Sequence, residues 1–142
     1  MLGELTNKTM TQEEKQLLLR DLCTRLPYRV VVSFKNSDTR EAFNQILDYT
    51  LVHMVEYIPH IGGIEIKPYL RSMSSMTEEE RDEFRNLGGV MSHNSQNDTW
   101  VICAFTPEAY DWLNEHHFDY RGLIEKGLAI EAPEDMYNTK IE

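Results

Sequence analysis

The chain has 142 residues, enough for one domain to bury about two-thirds of its unfolded surface without a disulfide or metal staple. Its 24 acidic and 14 basic residues leave a net charge of −10, which argues against a protein that grips a phosphate backbone and so against duplex nucleic acid as a partner. A hydrophobic share of 41% beside a charged share of 27% fits a soluble globule, and no apolar run reaches signal-peptide or membrane-span length; one cytoplasmic domain without a membrane partner is expected.

Residues 1–10 read as a loose leader. Thr11 and Glu14 then have the spacing of a capping box, in which each side chain meets an orphan amide of the first helical turn. Leu18, Leu19, Leu22, Cys23 and Leu26 recur at helical spacing up to Pro27, and Cys23 in that stripe reads as a small buried hydrophobe rather than a nucleophile. The Val-rich run 28–35 predicts a strand. Over 40–47 two periods compete. Phe43, Ile46, Leu47 and Thr50 suit a helix, whereas Phe43, Leu47, Tyr49, Leu51, Val55 and Tyr57 share one parity, as a strand pair requires. The β-branched and aromatic content of 50–58 favours a strand there, with His53 as a plain surface or packed histidine. A turn at 59–63 and a short strand at 64–70 complete a β-rich part spanning 28–70.

Thr77 and Glu80 form a second capping box, and Glu78, Glu79 and Glu80 lie in a first turn where the helix dipole favours negative charge, so the acidic run needs no metal to explain it. Only Phe84 and Leu87 give this helix an apolar face. Residues 88–98 read as a loop and 99–105 as a buried strand with Cys103 in its core. Thr106 caps a helix with Pro107 at its first position, and Ala109, Tyr110, Leu113 and His117 share one face up to Phe118. Asp119 can cap a short helix over 120–126, closed by a left-handed Gly127 with Leu128 folding back on Leu123. A last strand stops at Pro133, ahead of a polar tail, 133–142. Residues 71–132 thus form a mainly helical part.

The chemistry-bearing residues crowd around 116–121. Adjacent helical histidines point about 100° apart, so His116 and His117 do not share one ion, and neither an HExxH pair nor a cysteine cluster is present; no metal and no cofactor is expected. His117 with Asp119 or Tyr120 has the residue types for general acid–base work, weighed against a satisfied histidine between packed elements. Arg121 has the fork that recognises carboxylate or phosphate, but an ion pair with Glu125 or Asp119 is the expected use. Arg71, Arg121 and His117 are the candidate contacts for an anionic ligand. Tyr69, Leu70, Arg71 and Met73, with Met76, form a strip that either ties the helical part to the sheet or stays exposed to a partner. No nucleotide-binding glycine motif, nucleophile elbow or CxxC occurs, and no catalytic residue is assigned.

Three blocks, "LLLRDLCTRLPYRVVV", "IKPYLRSMSSMTEEERDEF" and "WLNEHHFDYRGLIEKGLAIEAPEDMY", resemble a set of short uncharacterised proteins found in gut bacteria of the Bacteroides group and in their prophages and mobile elements. They cover about two-thirds of the chain. Ser72 and Asp135 stand where proline and glycine are usual, which bears on local turn shape alone. The resemblance implies short strands in the middle region, which tips 40–47 toward strand, and a mobile-element setting. It transfers no catalytic residue.

The expected fold is α+β: one helix, then a small curled antiparallel sheet with an SH3-like barrel among its forms, then the mainly helical part. The expected function is that of a non-enzymatic adaptor acting by protein–protein interaction, an anti-defence or regulatory inhibitor being a concrete version. A small-ligand or nucleotide-binding protein, and an enzyme centred on His117, Asp119 and Tyr120, are the alternatives.

Overall fold

The structure, a computed structural model, describes residues 10–57, 63–96, 99–104 and 106–137, without the side chains of residues 99, 100, 102 and 104. Helix α1 (Gln12–Arg25) opens on the predicted capping box, with Thr11 Oγ1 accepting from Glu14 N at 3.0 Å and Glu14 returning the bond to Thr11 N. A short 3₁₀ turn, Leu26–Tyr28, follows the Pro27 break, and Arg29 enters the left-handed region before the sheet starts. Strands β1 (Val31–Asn36) and β2 (Glu41–Ile46) pair antiparallel, and β3 (Ile64–Leu70) pairs antiparallel on the other side of β1.

Between β2 and β3 lies a helix, α2 (Tyr49–Tyr57), where a strand is expected. Leu47, Leu51 and Val55 are all buried. Their spacing of four satisfies the strand parity and the helical period together, so apolar spacing does not decide this segment. The deciding residue is Asp48, whose carboxylate accepts from Leu51 N at 3.0 Å as an N-cap. His53 is accordingly an exposed helical residue, stacked on Tyr57 at 5.9 Å. Most of the 59–63 turn lies outside the described residues; Gly63 takes φ +97°.

The second part begins with a 3₁₀ turn at Met73–Ser75 and α3 (Glu78–Asn86), whose capping box is present as read. Residues 88–98, expected as a loop, instead supply β4 (Gly89–Asn94), which pairs antiparallel with β5 (Thr99–Ala104) as a separate ribbon. The part is therefore less helical than the sequence implies. Helix α4 (Pro107–Glu115) starts at Thr106, whose hydroxyl accepts from Ala109 N and donates to the Leu87 carbonyl. Residues 120–126 form turns rather than the expected short helix, yet they close as read. Gly127 has φ +76°, Leu128 N donates to Leu123 O at 2.9 Å and Gly127 N to Ile124 O at 3.1 Å. The last strand, β6 (Ile130–Glu131), lies parallel to β3.

The larger sheet has the order β2-β1-β3-β6, open and mixed. This corrects the barrel and the purely antiparallel sheet. β2 and β6 stand at opposite ends without pairing, and α2 occupies the chain length that another strand would have used. One face of the sheet packs with α1 and α2 around Leu22, Val32, Leu51, Ile66 and Leu70. A second core gathers Met73, Met76, Phe84, Trp112, Leu113 and Phe118 between α3, α4 and the chain after α4. Among the described residues no helix is long and apolar enough to cross a membrane.

Candidate functional site

The two cores meet at the segment 117–119, which clasps the end of β3. Arg71 N donates to His117 O at 2.7 Å and Asp119 N to Arg71 O at 2.8 Å. The turn needs a left-handed residue, and His117 takes φ +65°. Behind it lie two fully buried charged side chains, Asp21 and Arg25, one helical turn apart on α1. Arg25 donates to both Asp21 oxygens, at 2.7 and 3.1 Å, and to the Phe118 carbonyl at 2.6 Å. Arg121 reaches back from the other core, with Nη1 at 2.8 Å from Asp21 Oδ1 and 3.3 Å from Thr24 Oγ1. One carboxylate thus serves two guanidiniums. Tyr120 lies beneath both, with the Arg121 and Arg25 carbons 4.7 and 5.4 Å from its ring centre, and its hydroxyl donates to Asn114 at 2.9 Å.

His117 is buried against Tyr137, with ring centres 3.9 Å apart. Burial first, and then the positive charges of Arg25, His116 and Arg71, push its pKa down to about 4, so the ring is neutral at physiological pH. Asp119 moves the other way. Burial raises its pKa, opposed by the amides of Ile124 and Leu123, which donate to it at 2.9 and 2.8 Å. Tyr137 is pushed up to about 12, chiefly by burial. Its hydroxyl accepts from Val31 N and donates to the Tyr69 carbonyl, both at 2.8 Å, bridging β1 and β3 just beyond the Val32–Pro68 pair. The described start of the polar tail is therefore docked. Arg25 Nη1 and His117 Nδ1 are buried without a hydrogen-bond partner.

The residues singled out in the sequence come together here, in positions already occupied by structural contacts. Asp119 caps the turn at 123–124, Tyr120 bonds Asn114, and Arg121 bonds Asp21 rather than the expected Glu125 or Asp119. Tertiary packing brings Asp21 within reach, and a buried partner attracts a guanidinium more strongly than an exposed one. Arg71 forks onto Glu80 at 2.8 and 3.0 Å and stacks over Phe118 at 4.1 Å. Burial raises the Glu80 pKa, but the Arg71 hydrogen bonds, the Thr77 amide and the Arg71 charge outweigh it, so the carboxyl sits below its ordinary range. Leu70 lies in the first core and Met73 and Met76 in the second, so this strip spans the junction. Tyr69 is half-buried on the sheet, its hydroxyl donating to Asn44 at 3.2 Å. His116 stacks on Trp112 at 4.2 Å, away from His117. Among the described residues no three metal-ligating side chains gather.

Sequence reasoning passed over Asp21, Arg25 and Asn114. The available signal was an opposite-charge pair at i, i+4 enclosed by the leucine stripe, a pattern that usually marks a solvated face. Both cysteines are corrected in the opposite sense. Cys23 and Cys103 are exposed. Asp21 and Arg25 join Leu18 and Leu22 as the buried stripe of α1, which rotates Cys23 outward.

Two surface features remain. Between α1 and α4 runs an open cleft of about 700 Å³, lined by Arg20, Thr24, Pro27 and Tyr28 on one side and by Tyr110, Asp111, Asn114, Tyr120 and Arg121 on the other. Packed against α3 and α4, the β4–β5 ribbon turns the paired residues Val90–Cys103 and Ser92–Val101 to solvent, with Val90 48% and Val101 59% exposed. Cys103 faces outward because a two-stranded ribbon has one seat only. Its other face carries Met91 into the second core, with Gly89 against Phe84. Comparisons with protein-family models, curated proteins and solved structures return no match to this chain.

Proposed function

We propose that this is a non-enzymatic binding protein acting by protein–protein contact, with the ribbon as its contact surface. The observation that carries this reading is the solvent-facing Val90, Val101 and Cys103 on a two-stranded sheet whose outer edges pair with no other described strand. Unpaired edges and an apolar face are what a partner strand or side chain can cover. Next to the ribbon, α3 exposes Glu78, Glu79, Asp82 and Glu83, which fits a partner with a basic rim. The neutral, buried His117 and the committed Asp119 and Tyr120 support binding over catalysis, since a general acid or base needs a titration near working pH and an open approach. Together with the resemblance to mobile-element proteins, this favours an inhibitor or adaptor that occludes a basic protein surface in the cytoplasm.

The test is affinity capture from a Bacteroides-group lysate with wild type, Val101→Lys and Glu13→Lys, the last on the distant α1. A basic protein retained by wild type and Glu13→Lys, lost by Val101→Lys at unchanged melting temperature, and weakened by added salt is the expected result. Capture that survives both Val90→Lys and Val101→Lys would overturn the ribbon as the contact surface.

A further inference from the structure

We infer that the cleft between α1 and α4 binds a small planar ring carrying one anionic group, a carboxylate or a phosphate, at Arg20 and Arg121. The site goes beyond the protein contact proposed for the ribbon and lies on different elements.

Two arginines, Arg20 and Arg121, open onto the cleft. Asp21 is fully buried and shared between Arg25 and Arg121, and the buried Asp119 carboxylate also acts on Arg25. Arg25 is sealed inside, whereas Arg121 keeps partial exposure and lines the cleft. Its Nη1 is held by Asp21 and Thr24 and its plane by Tyr120; Nε and Nη2 make no hydrogen bond to a described residue. A guanidinium fixed along one edge presents the other without further loss of side-chain freedom, which favours a carboxylate or phosphate oxygen. Arg20, exposed on α1, forms no ion pair among the described residues and adds a second cation at the same opening. In a chain of net charge −10 the cleft lining carries two arginines, Arg20 and Arg121, against one carboxylate, Asp111.

The walls specify the rest of the ligand. Tyr28, Tyr110 and Tyr120, with Pro27, supply flat apolar faces, and Tyr110 and Tyr120 stand at 57° with ring centres 5.8 Å apart, an open corner for a third ring. Asp111 is the sole carboxylate lining the cleft, and partial burial first, then the charges of Asp111 and Glu115, raise the Tyr28 pKa. That end is suited to a hydrogen-bond donor on the ring, an amine or hydroxyl, and repels a second anionic group.

Calorimetric titration of the full chain with 4-aminobenzoate and with adenosine 5′-monophosphate distinguishes the two anion types, with adenosine and inorganic phosphate as half-ligand controls. At least one of the two ring anions binds measurably, and tighter than adenosine or phosphate. Arg20→Gln and Tyr110→Ala, both at exposed positions, melt as wild type and weaken that binding at least about tenfold, the scale of one lost charge-assisted or stacking contact. Absence of heat from every probe at millimolar concentration overturns the inference. So does binding that both variants retain, and so does phosphate alone binding as tightly as the ring anion.

Discussion

The junction at 117–121 and the β4–β5 ribbon distribute polarity in opposite ways. At the junction Asp21, Arg25, His117 and Asp119 are buried; on the ribbon Val90 and Val101 face water. Apart from Arg25 Nη1 and His117 Nδ1, the junction's buried polar side chains are bonded to one another and to the backbone, which holds the two cores together. The ribbon's apolar groups have nothing to satisfy them within the described residues. A crowd of catalytic residue types here makes structural contacts, and the Val-Met-Ser-His stretch carries the exposed apolar face on which the proposed contact rests.

The contrast breaks most readily at Asp21. Asp21→Ala leaves Arg25 buried without its carboxylate and should lower stability by about 3–5 kcal/mol in urea unfolding. A loss below about 1 kcal/mol would mean that the network does not hold the junction. On the ribbon side the sensitive point is the seat. A Cβ at Gly89 would clash with Phe84 ring carbons, so Gly89→Ala should cost about 1–3 kcal/mol by displacing β4. Unchanged unfolding would place the ribbon off the second core.

Gly127 separates conformation from packing, since nothing lies within 4 Å of a Cβ built there, while φ is +76°. Gly127→Val should cost about 1–2 kcal/mol and Gly127→Asn clearly less. Equal melting temperatures for the two would remove the left-handed cap from the account.

Titration sharpens the junction further. The folded His117 pKa, about 4, lies below its ordinary 6.5, so its stabilising contribution is complete above 6.5 and is lost as pH falls from 6.5 through 4. Between pH 7 and 5 the loss should be about 2 kcal/mol. Asp119, with a raised pKa, contributes in the opposite sense, so the readout is the difference between wild type and His117→Asn, which keeps a side chain tolerant of the left-handed turn. Parallel pH profiles for the two proteins would show that His117 is not the titrating group. The smallest effect belongs to the ribbon surface. Val101→Thr should change stability by less than about 0.5 kcal/mol, and a larger loss would mean that Val101 packs inside the molecule.

By itself the sequence determined what is local. The capping boxes at Thr11 and Thr77, the Thr106–Pro107 start and the Gly127 closure each depend on neighbours a few residues away, and all stand as read. The strand expected over 40–47 forms at 41–46 and that over 64–70 stands as read, both held by pairing with β1. Only the tertiary structure decided what depends on distant partners. Residues 49–57 became a helix because a spacing of four fits two periods and Asp48 capped one of them. Residues 89–94 became a strand because 99–104 supplied its hydrogen bonds. Asp21 and Arg25 went inside, and Cys23 outside, because Arg121 and the Phe118 carbonyl, more than ninety residues away, complete a polar network that only folding assembles. Burial of a charge is settled by the partners that meet it, and short-range sequence patterns do not identify partners so far along the chain.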